Sequence, residues 1–195
     1  MLDKEKDILI VGQDTVGILD IILEGISQYT SFTYSYFNFE LIWKKFHYRN
    51  TWHRIENFIS KNTAGINMKK QFYEEQVINH LNQLQSRYKM IFVIRPDLLS
   101  NNHLQLLKSK TKCLVAYYWD PVEFFPRKLD IRNYFNKIFS FNPPDCEKYG
   151  FEFIPNFYFA DATNAAINYE VYNLGSMDSR RPVLEAVAKE LEKIN

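Results

Sequence analysis

Asp7-Ile8-Leu9-Ile10-Val11-Gly12-Gln13-Asp14-Thr15-Val16-Gly17-Ile18-Leu19-Asp20-Ile21-Ile22-Leu23 is the stretch from which the fold is read. Its first half is a short continuous apolar run, Ile8 to Val11, that stops at Gly12. In its second half Val16, Leu19, Leu23 and, just beyond, Ile26 recur at the spacing of one helix face. A strand apolar on both sides, then a loop, then an amphipathic helix, opens a parallel sheet, because crossover helices cover both faces of such a sheet.

The same alternation continues along the chain. Phe32–Phe37, Lys89–Ile94, Lys112–Trp119 and Lys137–Phe141 read as further strands, and Phe151–Phe157 as a short sixth. A long polar helix from about Lys69 precedes the third strand, and a helix over Leu99–Lys108 precedes the fourth. The predicted fold of residues 1–160 is therefore α/β, a Rossmann-like doubly wound parallel sheet.

Residues 161–168 are polar and read as a linker. Tyr169–Leu174 is a final predicted strand, Gly175-Ser176 its turn, and Asp178 or Ser179 the cap of a helix with Pro182 in its first turn. On this reading 169–195 is the first strand and helix of an incomplete second Rossmann-like domain. Free backbone N–H groups at that helix start, beside Arg180 and Arg181, have the chemistry of a phosphate site. The other reading is one more strand of a single sheet, with solvated arginines. A lone strand and helix cannot bury its own apolar face, so it must pack on the first domain, on a second copy of the chain, or on further sequence. A homodimer is one such expectation.

Composition excludes several function classes. With 195 residues, 46% of them hydrophobic and 24% charged, the chain can build a full core. A net charge of +1 and the lack of any basic low-complexity tract argue against a nucleic-acid partner. The N-terminus is charged, and no apolar run approaches the roughly 20 residues that span a bilayer, so any membrane contact is expected to be peripheral. Cys113, Cys146 and the four histidines lack metal-ligand or disulfide spacing, which predicts no metal and a reducing, cytoplasmic setting.

Open parallel sheets bind ligands at the carboxyl ends of their strands. The first loop is not a P-loop: Gly12 and Gly17 have the spacing, but Ile18 and Leu19 stand where Lys and Ser/Thr are needed. Asp120 is the most suggestive acid. It ends an apolar strand and precedes Pro121, so its carboxylate should project into the crevice, to accept a proton from a sugar hydroxyl or hydrogen-bond one. Tyr117, Tyr118 and Trp119 would supply stacking faces. The alternative for Asp120 is a cap on the following loop. Asp145, after Asn142-Pro143-Pro144, is expected to cap its own helix.

Phe39–Phe58 interleaves aromatics such as Trp43, Phe46 and Trp52 with Lys44, Arg49 and Arg54. That mixture suits a membrane interface carrying a lipid-linked acceptor. The more economical expectation is a helix pair with aromatics packed inward and cations in water.

Ile138-Phe-Ser-Phe-Asn-Pro-Pro-Asp-Cys-Glu-Lys-Tyr-Gly-Phe-Glu-Phe-Ile-Pro-Asn-Phe-Tyr158, with Tyr117-Tyr-Trp-Asp120 before it and Leu174-Gly-Ser-Met-Asp-Ser-Arg180 after it, resembles bacterial GT-B-fold glycosyltransferases. The nearest group is the lipopolysaccharide and capsular polysaccharide biosynthesis proteins related to spore-maturation-type glycosyltransferases. The resemblance implies an acceptor domain followed by a nucleotide-sugar domain of which only the start is present. It implies that Gly12, Gln13 and Asp120 line the acceptor side and that Gly175, Ser176 and Arg180 lie near the donor diphosphate. It further implies a nucleotide-sugar co-substrate, no bound cofactor, a glycan or lipid-linked glycan acceptor, and work at the inner face of the cytoplasmic membrane. The competing expectation is a non-catalytic α/β binding or scaffold protein acting with a partner subunit.

Overall fold

The computed structural model describes residues 6–13, 17–155 and 181–191. The chain divides into two compact units, Met1–Tyr158 and Phe159–Asn195. In the first, six strands form one all-parallel sheet: β1 (Ile8–Gly12), β2 (Tyr34–Asn38), β3 (Met90–Ile94), β4 (Leu114–Tyr118), β5 (Lys137–Ser140) and β6 (Glu152–Phe153). Their spatial order is β2-β1-β3-β4-β5-β6, so the winding reverses between β1 and β3. The predicted α/β, Rossmann-like sheet is what the chain forms.

Because parallel crossovers are right-handed, that reversal distributes the helices between two faces. Helix α1 (Ile18–Tyr29), joining β1 to β2, packs with Ile8, Ile10 and Tyr36 on one face. The other face receives α2 (Glu40–Trp43), α4 (Met68–Gln83) and α5 (Asn101–Ser109), which bury Leu9, Val11, Ile91 and Val93. Helix α3 (Thr51–Thr63) lies between α2 and α4 in sequence. Two shorter helices, α6 (Arg127–Asp130) and α7 (Pro143–Tyr149), complete the unit beyond β4 and β5. On the α1 side, Phe92, Tyr117 and Ile154 border an apolar hollow of about 390 Å³ that α1 reaches but does not fill.

Strand ends are trimmed by side chains that compete for the ladder. Asp7 Oδ2 accepts from Thr33 N–H and Oγ1 at 3.1 and 3.0 Å, so β2 begins at Tyr34 rather than Phe32. Phe151 turns in against Tyr118, ring centroids 5.3 Å apart, and β6 begins after it at Glu152. In the second unit α8 spans Arg181–Leu191, the helix expected from Asp178 or Ser179. The expected strand Tyr169–Leu174 and the turn with Gly175, Ser176 and Arg180 lie outside the described residues.

Candidate functional site

At the carboxyl edge of the sheet, β3 ends on Arg95 and β4 runs into Trp119 and Asp120. Arg95 has φ 60° and ψ 51°, the one non-glycine left-handed residue among those described. For an L-residue this conformation costs about 1–2 kcal/mol and persists only where surrounding contacts hold it. Here they are several. The guanidinium grips Asp97 through Nε and Nη2 at 3.2 and 3.0 Å, pairs through Nη1 with Asp120 Oδ2 at 3.2 Å, and lies 4.4 Å over the Phe125 ring. Asp97 is buried, whereas the Asp120 side chain is 39% exposed.

Lys128 completes the cluster from α6. It is fully buried, over the rings of Tyr118 and Phe125, and its Nζ donates to the backbone carbonyl of Asp120. Burial lowers its pKa, an effect that the carboxylates of Asp97 and Asp120 oppose. Tyr118 donates its hydroxyl back to the Lys128 carbonyl at 2.7 Å, so both ends of the β4 turn are tied to α6.

Two expectations about acids exchange places. The loop after Asp120 is capped by Asp145, whose buried Oδ2 accepts from Val122 N–H at 2.8 Å. Asp145 therefore does not cap its own helix, where Asn142 takes the N-cap position. Asp120 directs its carboxylate to Arg95 and keeps exposed surface.

The stacking expectation also changes. Tyr118 is buried in the core, and Tyr117, also buried, borders the apolar hollow on the α1 side. Trp119 is part-exposed but packs toward Tyr117, Leu19 and Ile94 on the α1 side. Gly12 and Gln13 share the carboxyl edge with Asp120, but Arg95 stands between them because β3 separates β1 from β4. Gly12 is explained by packing: a Cβ there would lie 2.6 Å from Leu19 Cδ1.

Beside the cluster lies an open groove of about 510 Å³ between the starts of α4 and α5, lined by Trp43, Lys70, Tyr73, Asp97, Asn101 and Arg127 among others. Arg127 Nη2 donates to Leu99 O and Asn101 Oδ1, which shapes one wall. In the floor, Tyr73 stacks on Trp43 at 4.3 Å. Burial raises the pKa of Tyr73, whose buried hydroxyl makes no hydrogen bond. Among the described residues no group of three His, Cys, Asp or Glu side chains could hold a metal ion.

Arg95 and Lys128 were not singled out as functional from sequence. Arg95 lies just past an apolar run, before Pro96, with no local signal beyond that, and nothing local marks Lys128, whose partners lie 8 residues back at Asp120 and further away at Asp97. Comparison with protein-family models, curated proteins and solved structures gives no match for this chain.

Proposed function

We propose that the Met1–Tyr158 unit is the acceptor-binding part of a glycosyltransferase, which moves a sugar from a nucleotide-sugar to a cell-surface glycan or its lipid-linked precursor. The observation that carries this reading is Asp120: a part-exposed carboxylate at the carboxyl end of a central strand, aimed by an arginine held in a strained backbone conformation. Strain kept at a strand end facing the crevice is a feature of sites rather than of scaffolding.

In this reading an acceptor hydroxyl donates a hydrogen bond to Asp120. Its proton passes to that carboxylate as the oxygen bonds to the anomeric carbon and the bond from that carbon to the diphosphate oxygen breaks. Arg95 and Lys128 act as positioning residues, one on the carboxylate and the other on the backbone carbonyl of Asp120. Gly12 and Gln13 border the acceptor side, and Trp119 contributes its part-exposed surface. Gly175, Ser176 and Arg180 would face the donor diphosphate, and the inner face of the cytoplasmic membrane is the proposed place of work.

The test is Asp120→Asn in a protein that joins this unit to a complete nucleotide-sugar domain, measured as release of nucleoside diphosphate from a nucleotide-sugar in the presence of acceptor. Turnover should fall by about a hundredfold or more, with donor affinity and thermal stability close to wild type. Unchanged turnover would remove Asp120 from the chemistry.

A further inference from the structure

Helix α3 is built the wrong way round for a core helix. Its inward face is polar: His53 lies among Phe46 and Tyr48, Asn57 donates to Tyr48 Oη at 2.9 Å and accepts from Met68 N–H at 2.7 Å, and Ser60 is half-buried. Its outward face is apolar. Trp52 is 69% exposed, Phe58 68%, Ile59 52% and Ile55 39%. Positions 52, 55, 58 and 59 share one side of a helix with a repeat of about 3.6 residues per turn, and 53, 57 and 60 share the opposite side. The inward expectation for these aromatics is therefore overturned for Trp52 and Phe58. Two hydrogen bonds of Asn57, to Tyr48 and from Met68, turn its side of the helix toward the protein.

Charge identifies what such a face would meet. Between Glu40 and Lys70 the chain carries seven Lys or Arg against two acids, Glu40, which pairs with Lys44 at 3.3 Å, and Glu56, although the whole protein has a net charge of only +1. Arg54, which lies 5.7 Å over the Tyr48 ring, and Lys61 border the apolar stripe along one edge, with Glu56 on the other, and among the described residues neither cation has a carboxylate within ion-pair distance. An exposed stripe of Trp, Phe and Ile bordered by unneutralised cations fits the interface of an anionic bilayer. A second copy of the same face fits poorly, because two such basic surfaces would repel. The 13 residues of α3 reach about 20 Å, and no described helix is long and apolar enough to cross a membrane, so contact would be in the plane of the surface.

We infer that α3 is a docking helix for an anionic lipid surface, inserting Trp52, Ile55, Phe58 and Ile59 to the depth of the headgroups while Arg54 and Lys61 meet lipid phosphates. This docking needs no sugar chemistry, so it and the transferase reading can fail separately.

The experiment is sedimentation of the full chain with vesicles of phosphatidylcholine alone or mixed with phosphatidylglycerol, at low and high salt. The protein should pellet with the mixed vesicles, less with phosphatidylcholine alone, and less again as salt rises. Trp52→Ser with Phe58→Ser should lower partitioning by about a hundredfold, because two large side chains lose their burial, while leaving the melting temperature near wild type. Arg54→Gln or Lys61→Gln should each lower it by about fivefold, and only on the charged vesicles. Wild-type protein that stays in the supernatant with phosphatidylglycerol vesicles would overturn the inference, as would serine variants that bind as well as wild type. So would a concentration-dependent dimer in sedimentation velocity that the serine pair abolishes, since the stripe would then belong to a second copy.

Discussion

At the scale of single residues, His103 shows how burial sets a pH response. It is fully buried in the first turn of α5. Its Nδ1 accepts from Ser100 N–H at 3.2 Å, and Nε2 lies 3.2 Å from Glu74 O, so the neutral tautomer with hydrogen on Nε2 satisfies both contacts. Burial holds its pKa below the ordinary 6.5, with Glu74 pulling the other way. The unfolded chain therefore takes up the proton first. Stability from this site is present above pH 6.5 and is lost as pH falls from there through the lowered folded value. Asp7 adds a second, more acidic step. Its hydrogen bonds from Lys89 first and Thr33 next hold its pKa at about 2 against an ordinary 3.8, so its contribution disappears between those values. In urea titrations across pH, His103→Gln should be less stable at neutral pH but flatter on the limb just below 6.5, with the step nearer pH 3 retained. A variant with the wild-type slope below 6.5 would mean that another group titrates there.

At the scale of elements, the junction of β1 and α1 explains two glycines whose spacing imitates a phosphate loop. Gly12 is where Leu19 of α1 crosses the strand end, and Gly17 starts the helix with φ 78°, a left-handed conformation that favours glycine. Gly12 serves the close approach of strand and helix, and Gly17 the left-handed start of the helix. Gly12→Ala would drive its methyl into Leu19, which is fully buried and has little room to move. A loss of about 1–3 kcal/mol is expected, read as a lower urea midpoint at unchanged slope. A variant as stable as wild type would show that α1 can shift outward, toward the incompletely filled side of the sheet. The same scale contains the contrast between α4 and α3: α4 turns Tyr73, Val77 and Leu81 to the core, whereas α3 turns Asn57 inward.

At the scale of the whole molecule, the four apolar clusters of the first unit, taken over the described residues, run from Ile8 to Ile154. Every described strand belongs to that unit. A fragment ending at Tyr158 should therefore unfold in one cooperative transition, with a melting temperature within a few degrees of the full chain's in calorimetry. Loss of the transition on truncation would show that residues 159–195 complete the core. Within the second unit, α8 exposes Val183 and Val187, which lie one turn apart on one side of the helix.

What the chain's own order of residues determined is the sheet. Runs such as Leu114-Val115-Ala116-Tyr117-Tyr118 are apolar at every position, and only a strand covered on both faces tolerates that. The carboxyl-edge position of Asp120 followed from the same reasoning, since the end of an apolar run before a proline locates the end of a strand. The partners of these residues were decided by tertiary structure alone. Asp145 caps a loop 23 residues earlier, Lys128 supports Asp120 from a four-residue helix, and Arg95 joins two acids on different loops. Each depends on β3, β4 and β5 lying side by side, which no local pattern encodes. For α3 the periodicity marks two opposed faces, but which one points inward is not periodic information. It is settled where Asn57 meets Tyr48 and Met68, whose hydrogen bonds hold that side of the helix inward.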